Sequence, residues 1–366
     1  FQMDDLLTQE HIIIRQSIQD FVRKEIKPVI EEAAQNHTEI PGLLKKLGNL
    51  GALGCYIPEE YGGAGLDYIS YGLIMQELEA GDSAVRSSAS VQSSLVMYPV
   101  FTFGSEEQKK KYLPKLAKGE LTGSFGLTEP NHGSDPSSME TSLVDKGSYY
   151  LLNGEKLWIT NSPVCDVAVV WAKDEQGKIR GVLVERGMEG FSTPEIQHKW
   201  SLRASRTGGL VFQNVEIPKE NVLPQVNSLR GPLSCLNSAR YGISWGVIGA
   251  ARDCYETALQ YALEREQFGK PIASYQLQQK KLAECVTEIT KAQLLAWRLG
   301  VLKNENKARP EQISMAKRNN VDMALRIARE TRQIVGAMGI VGEYPMMRHM
   351  ANLESVITYE GTHDIH

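Results

Sequence analysis

Neither sign of charge dominates this chain. Its 40 Lys and Arg residues stand against 44 Asp and Glu, a formal net charge of −4 over 366 residues. That balance removes the electrostatic case for nucleic acid or an anionic membrane as a general partner. Cysteine is scarce. The five residues Cys55, Cys165, Cys235, Cys254 and Cys285 are odd in number, scattered, and never arranged as Cys-x-x-Cys. This argues against both a disulfide framework and a zinc site, and buried thiols in a reducing compartment are expected. No run approaches the ~20 uninterrupted apolar residues of a membrane span. There is no Gly-x-Gly-x-x-Gly opening a βαβ unit, no Walker-type loop and no His-Glu-x-x-His, and no Gly-x-Ser-x-Gly elbow is expected. Nicotinamide, nucleoside triphosphate, metalloprotease and serine-hydrolase chemistry all lose ground. His363 and His366 are three apart but lack an evident carboxylate shell, so no metal is expected. Phe1-Gln2 ahead of Met3 reads as an expression scar, and a helical pattern begins almost at once, leaving no room for a leader peptide.

What is present is ordinary for a globular protein, with 42% hydrophobic and 23% charged residues. The chain is long enough for two or three domains. From Thr8 to about Ile30, Ile14, Ile18, Phe21, Val22 and Ile26 recur at helical spacing. Further helices are predicted over Gly42 to Leu50, Ile69 to Ala80 and Val85 to Phe103, and from the capping box Ser105-Glu106-Glu107-Gln108. Short β-rich runs then appear at Tyr149 to Leu152, Asp166 to Trp171, Gly181 to Glu185 and Leu210 to Phe212, with Asn153-Gly154 placed as a tight hairpin turn. The helical period returns over Ile243 to Arg265, Leu277 to Leu302 and Pro310 to Val335. The expectation is an α+β protein with a helical domain at 3–122, an antiparallel β domain or barrel at 123–228 and a four-helix bundle at 229–366. No internal repeat or low-complexity tract is found.

Five segments carry candidate chemistry. In Ile357-Thr358-Tyr359-Glu360-Gly361-Thr362, an apolar run delivers one carboxylate against a glycine. A carboxylate that loses hydration becomes more basic, so Glu360 is a candidate general base, although Glu before Gly also describes an ordinary helix end. Phe125 to Asp135 combines small residues, Pro130 and hydroxyl groups, and could aim backbone N–H groups at an anion or a heteroaromatic ring. Trp158, two positions from Thr160, could wall a flat cofactor, whereas a lone Trp in a strand is more often core. Arg265-Glu266-Gln267-Phe268-Gly269 closes a helix with groups suited to a phosphate and an adjacent base. Arg86 stands among Ser87, Ser88, Ser90, Ser93 and Ser94, a natural carboxylate clamp if enclosed and merely solubilising if exposed.

Taken together, these segments resemble the acyl-CoA dehydrogenase family along essentially the whole chain. The likeness extends to its glutaryl-CoA branch through Ser90 to Met97, Ser134 to Thr141, Ala239 to Ile243 and Tyr359 to His366. The resemblance implies an N-terminal helical domain, a middle β domain and a C-terminal helical bundle, with FAD and acyl-CoA between them. It implies Glu360 as the base and FAD contacts from Phe125, Leu127, Thr128, Gly133, Ser134, Trp158, Ile159, Thr160, Thr362 and His363. Arg265, Gln267, Phe268 and Gln276 would reach the FAD of a neighbouring subunit. Gln333 and Gly336 would touch the dinucleotide, though Ala337 and Met338 depart from the usual pattern. Ser134, Leu233, Asn237, Arg240 and Gly361 would line the thioester channel, and Arg86, Ser87, Ser90 and Glu79, with Tyr359, would hold a distal carboxylate. The expected activity is oxidative decarboxylation of glutaryl-CoA to crotonyl-CoA and CO2, with electrons passing to an electron-transfer flavoprotein. A homotetramer in a bacterial cytoplasm rather than a mitochondrial matrix is expected, and the family runs about one helix beyond the position of His366.

Overall fold

The computed structural model describes residues 2–366. Helix α1 (Gln9–Phe21) starts at Thr8, whose side chain accepts from His11 N while the His11 ring answers the Thr8 N–H. The helix runs on through a π-helical segment, Val22–Ile26. Short helices α2 (Ile30–Asn36) and α3 (Leu43–Asn49) follow. Helix α4 (Tyr68–Gly81) is buried on nearly every side, consistent with its lack of a polar face. Asp82 ends it and caps α5 (Ser83–Ser90), accepting from Ala84 N at 2.7 Å. The predicted Val85 to Phe103 helix is one rod with a wider middle: α5, a π-helical segment Val91–Met97, and α6 (Tyr98–Phe103). Helix α7 (Glu106–Ala117) opens on the predicted box, with Ser105 and Gln108 bonded both ways at 2.9 and 3.2 Å.

The middle of the chain forms a seven-stranded sheet of β1 (Gly123–Gly126), β2 (Ser142–Asp145), β3 (Tyr149–Thr160), β4 (Val167–Asp174), β5 (Ile179–Glu185), β6 (Phe191–Ser192) and β7 (Thr207–Pro218). The order is β1-β4-β2-β3-β7-β6, with β5 paired antiparallel to β4 along Val167 to Lys173. The sheet is mixed rather than antiparallel, because β4 runs parallel to both β1 and β2. The excursion through β2 and β3 returns the chain in its original direction, so the long connection permits parallel pairing. Asn153-Gly154 is not a turn either. β3 passes straight through it with a bulge, and the reversal falls at Lys146 to Tyr149. Gly154 has φ +139, and a Cβ there would lie 2.6 Å from Thr141 Oγ1, so the glycine serves close packing in a strand.

Helix α8 (Arg230–Glu264) starts well before the predicted Ile243. After a small hairpin, β8 (Glu266–Gln267) and β9 (Lys270–Pro271), come α9 (Gln276–Asn304), α10 (Pro310–Ile334) and α11 (Met346–Val356). Helices α4 and α8 cross so tightly that a Cβ on Gly249 would lie 1.8 Å from the Gln76 carbonyl oxygen. One hydrophobic core joins the N- and C-terminal helices and reaches the sheet at Phe125 and Trp171, and a second lies within the sheet around Leu152, Val170, Leu210 and Phe212. All five cysteines are buried and unbridged. Among the described residues no helix is long and apolar enough to cross a membrane, and no three His, Cys, Asp or Glu residues cluster as a metal site.

Candidate active site

A cavity of about 940 Å³ opens where helices and sheet meet. It is walled by α5 and its π-helical continuation, the loop after β1, the end of β3, the Ile196–Leu202 loop, the start of α8 and the segment after α11. Glu360 sits on that last segment. Helix α11 stops at Val356, and two further helical hydrogen bonds, Ile357 N to Leu353 O and Tyr359 N to Ser355 O, both at 2.9 Å, carry the chain to it. Glu360 then adopts φ +55, a left-handed conformation that costs a non-glycine residue roughly 1–2 kcal/mol. Gly361 follows at φ +97, where a Cβ would meet the His366 ring at 2.8 Å.

Side chains from elsewhere hold this turn by its backbone. Arg240 Nε donates to the Glu360 carbonyl at 2.6 Å, and Lys317 Nζ donates to the carbonyls of Tyr359 and Gly361 at 3.0 and 2.9 Å. The Glu360 carboxylate itself is left unbonded, with Oε2 buried and partnerless. Desolvation pushes its pKa up to about 7 against the pull of Arg240, Lys317 and Arg86. The Glu360 N–H also finds no acceptor within the described chain. A near-neutral carboxylate beside a free N–H, at the wall of a large and mostly apolar cavity, can take a proton from carbon next to a carbonyl that the N–H polarises.

Arg86 lies at the other end of the turn's reach. It is 2% exposed, and its Nε donates to Glu79 Oε2 at 2.6 Å. Its Nη2 donates to Glu79 Oε1 at 3.4 Å and to the Tyr359 hydroxyl. Burial would drive its proton off, but Glu79 and Tyr359 hold the guanidinium charged and its pKa above the ordinary value. Nη1 makes no hydrogen bond among the described residues, and Arg86, Ser87 and Ser90 all line the cavity. Asp82 ties the two ends together. While capping α5, its carboxylate accepts from Asn352 Nδ2 at 2.9 and 3.0 Å and from Arg348 Nε at 3.0 Å, both on α11.

Of the residues expected from sequence, Phe125, Leu127, Thr128, Gly133, Ser134, Trp158, Ile159 and Thr160 line the cavity. So do Leu233, Arg240, Tyr359, Gly361 and Thr362. Trp158 is not core. A register shift in the β3–β7 ladder between Lys156 and Ile159 gives it φ +63 and turns the indole outward, 61% exposed. Glu79 stands behind Arg86 rather than on the wall, and Asn237 and His363 do not line the cavity. Asn237 instead accepts from Arg240 Nη1 at 3.4 Å. Arg265, Gln267, Phe268, Gln276, Gln333 and Gly336 are also away from the cavity of their own chain, and Phe268 is 95% exposed.

Sequence reasoning missed Lys317 and the Gln197–Leu202 loop. Lys317 had a signal: it falls on the stripe Ile313, Ala316, Asn320, Val321 and Ala324 that α10 buries. Gly242-Ile243-Ser244-Trp245-Gly246 does carry the elbow spacing that was not expected, but it lies in the interior of α8. The Ser244 hydroxyl is buried there, donating to the Tyr241 carbonyl at 2.7 Å, and is no nucleophile.

Comparison with known proteins bears directly on this arrangement. The models described as "Acyl-CoA dehydrogenase" N-terminal, middle and C-terminal domains match residues 8–120, 124–215 and 230–366. The chain belongs to the acyl-CoA dehydrogenase family. It is 38% identical over 365 residues to an acyl-CoA dehydrogenase of Bacillus subtilis, covering 98% of this chain and 96% of that one. It is 35% identical over 373 residues to a glutaryl-CoA dehydrogenase of Desulfococcus multivorans, covering 99% and 96%. A crystal structure of a glutaryl-CoA dehydrogenase from Mycobacterium smegmatis in complex with FADH2 superposes with TM-score 0.98 at 49% identity, over 100% of this chain and 94% of that one.

The protein is thus an FAD-dependent acyl-CoA dehydrogenase. The site fits that cofactor. Its volume is at the upper end of the ~300–1,000 Å³ usual for ligand sites, enough for a flat ring system and an acyl chain together. An outturned indole and a glycine-bearing loop, with open space where a Gly133 side chain would stand, edge one wall.

Proposed function

We propose that this dehydrogenase oxidises and decarboxylates glutaryl-CoA, yielding crotonyl-CoA and CO2. The carrying observation is Arg86: buried, kept charged by Glu79, on the cavity wall, with Nη1 free for an acyl chain's distal carboxylate. A cavity for a plain fatty acyl chain has no use for an enclosed guanidinium, which is costly to bury. The likeness to two glutaryl-CoA dehydrogenases supports the same reading.

In this reading Ser134, Leu233 and Arg240 border the thioester channel, and the Glu360 N–H polarises the thioester carbonyl. Glu360 removes the acidified α proton, which its raised basicity near neutrality favours. Bound FAD supplies the acceptor for the β hydrogen, leaving as hydride. Phe125, Leu127, Thr128, Gly133, Trp158, Ile159, Thr160 and Thr362 hold that cofactor, with His363 beside them. Arg265, Gln267, Phe268 and Gln276 extend to the site of a neighbouring subunit in a homotetramer, while Gln333 and Gly336 meet the dinucleotide. The unsaturated product, glutaconyl-CoA, is conjugated so that its distal C–C bond breaks with release of CO2, the electron pair passing into the conjugated thioester and a proton completing crotonyl-CoA. Arg86 has by then fixed that carboxylate in place, aided by Ser87, Ser90 and the Tyr359 hydroxyl. The electrons leave to an electron-transfer flavoprotein.

A second reading has one observation in its favour. Glu79 already compensates Arg86, which weakens the site's net pull on an anion and would suit another short-chain or dicarboxylic acyl-CoA oxidised without loss of CO2. A product assay separates the two. Glutaryl-CoA should give crotonyl-CoA and CO2 in equal amounts, and accumulation of glutaconyl-CoA, or preference for butyryl-CoA, would replace the first reading by the second.

A further inference from the structure

Lys317 is an expensive residue where it stands. It is 1% exposed, two turns into α10, and forms no ion pair among the described residues. A buried ammonium normally sheds its proton or pairs with an anion. Two carbonyls could be satisfied more cheaply by an amide, so hydrogen bonding alone does not account for a lysine. The two carbonyls it does bind flank Glu360 on either side, which puts its ammonium beneath the base's own backbone. Arg240, also without an ion pair, takes the carbonyl between them, so three successive carbonyls are gripped by two cations.

We propose that Lys317 is a positioning residue for the base, pinning the Tyr359–Gly361 turn so that Glu360 stays in its left-handed conformation and setting the carboxylate's protonation through its charge. The inference rests on Glu360 being the base, and adds a residue that touches neither substrate nor cofactor. The groups facing Lys317 are Glu360 and Tyr359 on the turn, Arg240 from α8, Arg86 from α5 and His366 beyond the turn. Burial pushes Lys317 down to about 7, against the pull of Glu360, while burial pushes Glu360 up to about 7. Two groups so placed titrate as a pair, each charge favouring the other.

The test compares Lys317→Met, which keeps the stem and removes the charge and donors, with Lys317→Arg, which keeps the charge. Both are studied as FAD-loaded enzyme. Lys317→Met should lower kcat by ~10–100-fold with KM little changed, as expected for a displaced base. It should also move the acidic limb of the pH profile upward by about one unit, because a cation near a carboxylate favours its ionised form. Lys317→Arg should leave that limb in place while losing part of kcat. A readout independent of turnover is the ¹³C carboxyl resonance of Glu360, assigned by its loss in Glu360→Gln, whose titration midpoint should rise in Lys317→Met. If the resonance shifts as expected but no acyl-CoA is turned over by the unaltered enzyme, the functional reading fails and the coupling stands. An unmoved midpoint in folded, flavin-loaded Lys317→Met overturns the proposal. So does failure of both variants to fold, which would make Lys317 a core residue only.

Discussion

The two ends of the cavity handle buried charge in opposite ways. At the Arg86 end, cation meets carboxylate directly, with Glu79 at 2.6 Å and 0% exposed, and the guanidinium is held permanently charged. At the Glu360 end the cations Arg240 and Lys317 bind the backbone and leave the carboxylate oxygens free. One end is therefore fixed in charge and orientation, as the proposed carboxylate clamp requires. The other is poised between two protonation states, as the proposed role of Glu360 as base requires. The same residue types give a lock or a switch according to whether the cation grips the carboxylate or the chain that carries it.

The most severe way to break this contrast is Glu360→Gln. It should bind FAD normally but lose about 10²–10⁴-fold in substrate-dependent flavin bleaching, and retained turnover would remove Glu360 from the mechanism. The same variant should be more heat-stable at neutral pH by calorimetry. Because the carboxyl is raised above its unfolded value, its cost to folding is full above about pH 7 and vanishes below about pH 4.5. Arg86→Ala comes next, with an expected loss of ~30-fold or more in kcat/KM for glutaryl-CoA and a much smaller one for butyryl-CoA. Equal losses would refute the clamp. Glu79→Gln strips the lock of its counter-charge and should cost ~3–5 kcal/mol of stability in denaturant titration, since it leaves Arg86 buried and unpaired. The unaltered enzyme should show kcat/KM falling as pH drops through about 7, where Glu360 takes up a proton. The smallest effect is expected of Gly361→Ala, at about 1–2 kcal/mol, from a positive φ and the crowding of His366.

Much of this architecture was legible in the sequence because its signals are local. The Ser105 to Gln108 box, the period of α1 and the β-rich run of β4 each rest on neighbouring residues, and each was found. Non-local causes hid the rest. Gly154 reads as a turn until Thr141 is brought against it, and the π-helical widening at Val91–Met97 has no compositional mark. Parallel pairing of β4 depends on where two strands return. At the site, the Arg86 and Glu360 segments were recognisable from their own residues. For Lys317 only its burial was legible, from the α10 stripe; its contacts exist only once α10 lies under a turn some forty residues later.

Asp82 gives the molecule a gauge. A single carboxylate begins the helix that bears Arg86 and fastens Asn352 and Arg348 on the helix that leads to Glu360. The separation of guanidinium and base is thereby struck from one point, and with it the number of carbons that an occupant can place between its two ends. If Arg86 holds a distal carboxylate as proposed, the length of a diacid is gauged by a residue it never meets.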